Sequence, residues 1–188
     1  MHSDAADRLT SGLRPHQKML FTSGGSLTLD LELLLEEDVK VDVVRRRETD
    51  LDIEIAAYLH AAPGAQVSER VVWLKTGHGN IVYALTVFLL ERTDPAILAS
   101  LDRYFDEPLG KVLNHRRIVF TKTRMEAGVV VCAEAASVLN LPDDSPFVAR
   151  RYVLADSGAS VSQADTIQAA VIEVFSPAII PVVARPDA

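Results

Sequence analysis

The sequence predicts an α+β fold: a single antiparallel β-sheet of about six strands with helices covering one face. Three observations predict it. Val67 to Lys75 and Ile81 to Glu91 are strand-like runs joined by the turn-rich stretch Thr76-Gly77-His78-Gly79-Asn80, which makes a hairpin. Phe147 to Ala155 and Thr166 to Phe175 form a second pair across the small, polar loop Asp156 to Asp165. Strand–helix–strand alternation does not recur, so the helices sit in groups between antiparallel strands. With 188 residues, 48% of them hydrophobic, the chain can bury one sizeable core. Residues 1–13 read as a flexible arm and 14–180 as one domain.

The elements follow in order. Ser26 to Glu36 reads as a helix, because Leu27, Leu31, Leu34 and Leu35 fall at helical spacing and Ser26 can cap the start. Val39, Val41 and Val43 alternate with Lys40 and Asp42, the period of a strand. Leu51 to Ala61 reads as a short helix ended by Pro63-Gly64. After the first hairpin, Asp94-Pro95 is a cap followed by proline at the first helical position, opening a helix to about Tyr104. Pro108 to Asn114 reads as another helix, and Arg117 to Arg124 as a strand. The apolar run Val130 to Leu139 fits either type; we assign it to a helix that stops near Asn140 and Pro142.

Composition excludes several classes. The net charge is -7, which argues against a broad nucleic-acid surface but not against a local anion pocket. One cysteine, Cys132, cannot form an intramolecular disulfide or a cysteine cluster; its apolar neighbours predict a small buried side chain. No apolar run reaches the roughly 18 residues of a membrane helix, and Met1 to Arg8 lacks the apolar core of a signal peptide. The expectation is a soluble cytoplasmic protein. His2, His16, His60, His78 and His115 show no metal-ligand spacing, so no metal is expected.

One residue interrupts an otherwise apolar face. On the strand period, Glu173 shares a face with Ile167, Ala169, Val171 and Phe175. Either it reaches water at an edge or strand end, or it is buried with a partner and is a candidate for chemistry. Arg70 shares a face with Val72 and Leu74; it is either an inward clamp for a carboxylate or an exposed strand end. Pro108-Leu109-Gly110-Lys111 opens a helix whose first N–H groups can take an anion, or is simply a proline-initiated helix. Arg45-Arg46-Arg47 reads as a solvated strand end. Of Arg150 and Arg151, Arg151 alternates with Val153 and is the one expected to face the interior.

Four segments, in this order, resemble the chorismate pyruvate-lyases. They are Leu20 to Thr28 with Gly24-Gly25, the hairpin from Arg70 through Leu90, Asp106-Glu107-Pro108-Leu109-Gly110-Lys111-Val112-Leu113, and Ala149 to Val153 followed by Val171 to Phe175. The resemblance implies an antiparallel sheet with an enclosed ligand pocket. It also implies release of pyruvate from chorismate, without a cofactor, to give 4-hydroxybenzoate or a related hydroxybenzoate. Arg70 then binds the ring carboxylate, helped by the backbone N–H of Leu109. Glu173 faces the hydroxyl and ether end of the ligand, where a raised pKa would let it donate a proton to the departing oxygen. Leu27 is an apolar wall from a covering segment, and Arg151 is a further substrate-binding candidate.

The sequence departs from the family pattern at Leu85, where many relatives carry glutamate, at Gly24, and in the long 156–165 loop. A second resemblance, from Ala135 to Tyr152, is to the effector-binding domains of bacterial repressors. It implies a non-catalytic sensor of aromatic carboxylates. Such domains follow a DNA-binding helix-turn-helix domain, which residues 1–13 are too short to hold, so the enzyme is the favoured expectation.

Overall fold

The computed structural model describes residues 12–156 and 166–182. Six strands form one sheet: β1 Lys40–Asp50, β2 Gln66–Thr76, β3 Gly79–Leu89, β4 Phe120–Val131, β5 Pro146–Asp156 and β6 Gln168–Phe175. Their order is β1-β2-β3-β6-β5-β4, and every pairing is antiparallel. The runs β1-β2-β3 and β4-β5-β6 each supply half of the sheet, and β3 meets β6 at the centre. The loop 157–165 and residues 1–11, read above as a polar connection and an arm, lie outside the described residues.

Among the described residues six α-helices flank the sheet: α1 Pro15–Thr22, α2 Leu27–Leu35, α3 Ile53–Leu59, α4 Pro95–Arg103, α5 Leu109–His115 and α6 Ala133–Val138. Ser26 caps α2 by accepting from the Leu29 N–H, and Asp94 caps α4 by accepting from the Ala96 N–H at 2.8 Å. α2 and α3 stop at Glu36 and His60, both in the left-handed conformation. Helix α1 has no counterpart in the sequence reading; Pro15 starts it, and its buried face is Leu20 and Phe21.

Both faces of the sheet are covered, a more extensive helical cover than the single face expected. On one face, Leu20, Leu27 and Leu31 pack on Val72, Leu74, Val82 and Phe175. On that face too, Ile97, Leu101 and Leu113 pack with Tyr152, Leu154 and Val171. On the other face, α3 packs Tyr58 and Leu59 against Val67, Val87 and Ala170, while Ala135 and Ala136 of α6 meet Trp73, Phe147 and Val174. Fully burying a leucine such as Leu20 or Leu31 contributes about 2 kcal/mol.

One expectation is corrected. The run Val130 to Leu139 is not one helix: Val129 to Val131 complete β4, and the helix starts only at Ala133. The three valines pair with Pro146 to Val148 of β5, and this ladder outweighs the local ambiguity of an apolar run. Cys132 is the residue before α6 and is only half-buried.

Candidate functional site

Strand register sets the site. Two adjacent rows of side chains run across the cavity face. One row is Val72, Ala84, Glu173, Arg150 and Ala127; the next is Arg70, Thr86, Val171 and Tyr152. Leu154 and Lys122 pair in a third. Above these rows lies a cavity whose empty space, part of it open to solvent, is about 620 Å³. Gly25 to Thr28 from the start of α2, and Pro108 to Gly110 with Leu113 from α5, form its roof. Val41, Val72, Leu74, Val171 and Leu154 give it apolar walls. Gly110 lets the two helix starts converge, since a Cβ there would come 3.2 Å from Ser26 Oγ.

Arg70 is buried, at 5% exposure. One nitrogen, Nη2, donates to the carbonyls of Phe105 at 2.9 Å and Glu107 at 3.0 Å, just ahead of α5. Among the described residues it makes no ion pair. Burial, and secondarily the nearby Arg46 charge, pull its pKa down to about 10. A guanidinium held this way has spare donors and lacks a counter-ion, which is the electrostatic setting for an anionic ligand. The start of α5 is beside it, and no side chain caps that helix. Leu109 thus sits at the first helical position, whose N–H has no partner within the helix.

Glu173 is buried at 6% exposure and lines the cavity. Arg150 Nε donates to Oε2 at 2.5 Å, and the Tyr152 hydroxyl donates to Oε1 at 3.0 Å. Arg150 is among the largest fully buried side chains. Through Nη1 it also donates to the carbonyls of Leu20, Phe21 and Ser23, at 2.7, 3.2 and 3.2 Å. It thereby ties Glu173 to the segment that runs from α1 to the cap of α2. Burial, and next the Glu173 charge, push the Tyr152 hydroxyl well above its ordinary pKa, so it stays a donor. Lys122 also lines the cavity; its ammonium donates to the Gly25 carbonyl and lies 4.6 Å from the centre of the Tyr152 ring. Burial lowers the Lys122 pKa, against an opposing pull from Glu173.

Four sequence candidates, Arg70, Leu109, Leu27 and Glu173, converge on this cavity. Arg151 does not. It lies on the opposite face of β5, bonded to Glu126 Oε2 at 2.6 Å and stacked 4.4 Å from the centre of the Tyr58 ring. The inward arginine is Arg150. Both faces of β5 are buried, so alternation alone could not choose between the two. Tyr152, Lys122 and Thr86 were also missed, although Tyr152 follows from the same period as Arg150. Leu85 faces away from the cavity and packs with the clusters under α3 and α6. The departure at this position therefore leaves the cavity wall, here Ala84 and Thr86, untouched. Among the described residues no three His, Cys, Asp or Glu side chains are placed to hold a metal ion. No helix among them is long and apolar enough to cross a membrane.

From residue 21 to 182 the sequence matches the family described as Chorismate pyruvate-lyase Rv2949c-like. The chain belongs to that family. Its fold is shared with solved bacterial proteins. PhnF from Mycobacterium smegmatis is 18% identical with a TM-score of 0.65, over 89% of this chain and 70% of that one. The effector domain of PhnF alone gives 18% identity and a TM-score of 0.61, over 80% and 88%. A putative transcriptional regulator from Streptomyces coelicolor gives 14% and 0.58, over 80% and 97%. No curated protein matches the sequence. The architecture is the chorismate lyase-like fold common to this family and to those effector domains.

Proposed function

We propose that the chain cleaves chorismate to pyruvate and 4-hydroxybenzoate or a related hydroxybenzoate. The observation that carries this reading is a buried arginine with no counter-ion among the described residues and a buried, hydrogen-bonded glutamate on adjacent rows of one apolar cavity. Arg70 lies two strands from Glu173, about 10 Å at the usual strand spacing, a span suited to one six-membered ring between the two side chains. The ring carboxylate binds Arg70 and the N–H of Leu109. Leu27, Val72 and Leu154 flank the ring, and Glu173 meets its C4 end.

Chemically, the C4 hydrogen leaves as a proton and its electrons complete the aromatic ring. The C3–oxygen bond breaks, and its electron pair stays on the oxygen of enolpyruvate, which takes a proton and becomes pyruvate. Aromatisation makes the step strongly downhill, so orientation and proton handling suffice. Both oxygens of Glu173 already accept hydrogen bonds, one from a guanidinium. We therefore assign it the acceptor's part, taking the C4 proton, in place of the donor's part expected from the sequence. Glu173→Gln should lower kcat by at least about a hundredfold with little change in 4-hydroxybenzoate affinity. An unchanged kcat rules the role out.

The deciding experiment is incubation with chorismate, followed by assay of pyruvate and of the aromatic product. Arg70→Met should weaken 4-hydroxybenzoate by roughly a hundredfold, the loss of a paired charge-assisted contact of about 3 kcal/mol. The solved structures of similar fold are regulators, which favours a second reading, a sensor of aromatic carboxylates. Clear binding of 4-hydroxybenzoate with no pyruvate released would select the sensor.

A further inference from the structure

We propose that Lys122 binds a second carboxylate, so that the cavity selects ring carboxylates bearing a further carboxylate on an ether arm. The inference rests on the chorismate reading for the place of the first carboxylate, at Arg70.

Lys122 is on β4, the edge strand, and its side chain points to the cavity face beside Leu154. Its ammonium donates to one carbonyl, that of Gly25, and rests over the Tyr152 ring. Among the described residues it makes no ion pair. An ammonium has three donors, so a carbonyl and a π-face leave it able to bond an anion. Arg150, the other cation nearby, is engaged by Glu173 and three carbonyls, and although its buried Nη2 has no partner, Arg150 does not line the cavity.

Arg70 and Lys122 reach the cavity from opposite flanks. β2 and β4 are four strand steps apart, about 19 Å between backbones. An arginine and a lysine both reaching inward over that span leave a gap suited to a ring with one short arm. A ring carboxylate at Arg70 and an ether-linked carboxylate at Lys122 would each meet one cation. Cleavage then removes the second carboxylate as pyruvate. The hydroxybenzoate left behind satisfies Arg70 alone, binds more weakly than the substrate and leaves the site more readily.

The test uses aromatic ligands that cannot undergo the elimination. Calorimetry would compare 3-(carboxymethoxy)-4-hydroxybenzoate with 3-methoxy-4-hydroxybenzoate, whose ether arm carries no charge. The wild-type chain should prefer the dicarboxylate by about ten- to hundredfold, as for one charge-assisted contact. Lys122→Met and Lys122→Gln should abolish the preference while leaving affinity for the methoxy compound within about twofold, which also reports an intact fold. Lys122→Arg should retain most of it. No preference in the wild type, or equal weakening of both ligands by the substitutions, overturns the proposal; equal weakening would mark Lys122 as only a tie to Gly25. Chorismate cleavage is assayed separately. A chain that shows the Lys122-dependent preference but releases no pyruvate refutes the lyase reading and not this one.

Discussion

The two faces of the sheet carry similar charged residues in opposite circumstances. On the cavity face, Arg70, Arg150 and Glu173 are buried, and two of the three satisfy one another. On the other face, Arg45, Glu69, Glu134, Arg151 and Glu126 form ion pairs at the rim, with mostly exposed partners. Arg150 and Arg151 are neighbours in sequence and fall on different faces. Buried charges must be matched bond for bond, because desolvation is costly; rim charges remain largely hydrated. The cavity face is therefore where a missing counter-ion, as at Arg70, has meaning.

The comparison breaks most sharply at Arg150. Arg150→Met leaves Glu173 buried without its cation and removes the donor to three carbonyls. We expect a loss of about 3–5 kcal/mol in urea unfolding. Adding Glu173→Leu should restore a large part of it. A loss below about 1 kcal/mol for the single variant would mean that the two faces are electrostatically alike.

Leu85 sharpens the comparison from the other side. It packs behind the sheet, so Leu85→Glu buries a carboxylate among Trp73, Val87 and Ile172 clusters rather than adding one to the cavity. The expected cost is about 2 kcal/mol of stability. In the folded chain the proposed turnover of chorismate should keep its kcat/KM, measured well below the unfolding midpoint. A gain in turnover would show that this position reaches the ligand.

Much of this was legible in the sequence. The β2–β3 and β5–β6 pairs, the capped starts of α2 and α4, and Glu173 on an apolar face follow from local period and turn chemistry. The choice between Arg150 and Arg151 did not, because β5 is apolar on both faces and only register with β6 places Arg150 beside Glu173. Lys122 was hidden for a related reason. The strand was read as ending at Arg124, yet β4 continues through a bulge between Thr123 and Glu126, and the edge position of Lys122 is a property of the whole sheet. Helix α1 was overlooked because its buried face is short, only Leu20 and Phe21.

Arg70 gives a pH signature that no rim arginine should share. Its pKa is lowered from the ordinary arginine range to about 10, mainly by burial and then by Arg46. Below about pH 10 the folded and unfolded chains both carry the proton, and the folded state bears the full burial penalty. From about pH 10 up to the ordinary arginine pKa the folded state loses the proton first, so this group's penalty is relieved as pH rises. Ligand binding follows the opposite sign, since the free site loses its cation. Benzoate, which has no phenol to titrate, should bind with constant affinity from pH 6 to 9. Above about pH 10 the affinity should fall by up to about tenfold per unit. A flat profile through pH 11 would show that Arg70 keeps its charge and that the buried setting is less severe than its contacts indicate.

The smallest effect belongs to Arg151. Its partner Glu126 is about half exposed, and the pair lies at the rim, over the Tyr58 ring. Arg151→Met removes that ion pair but keeps a stem that can still cover Tyr58. The expected change is below about 1 kcal/mol and should shrink further in high salt. Chorismate turnover and 4-hydroxybenzoate affinity should not move. If Arg151→Met instead weakened the ligand as strongly as Arg70→Met, the side chain would have to reach the cavity, and the assignment of β5 faces from its register with β6 would be wrong by one residue.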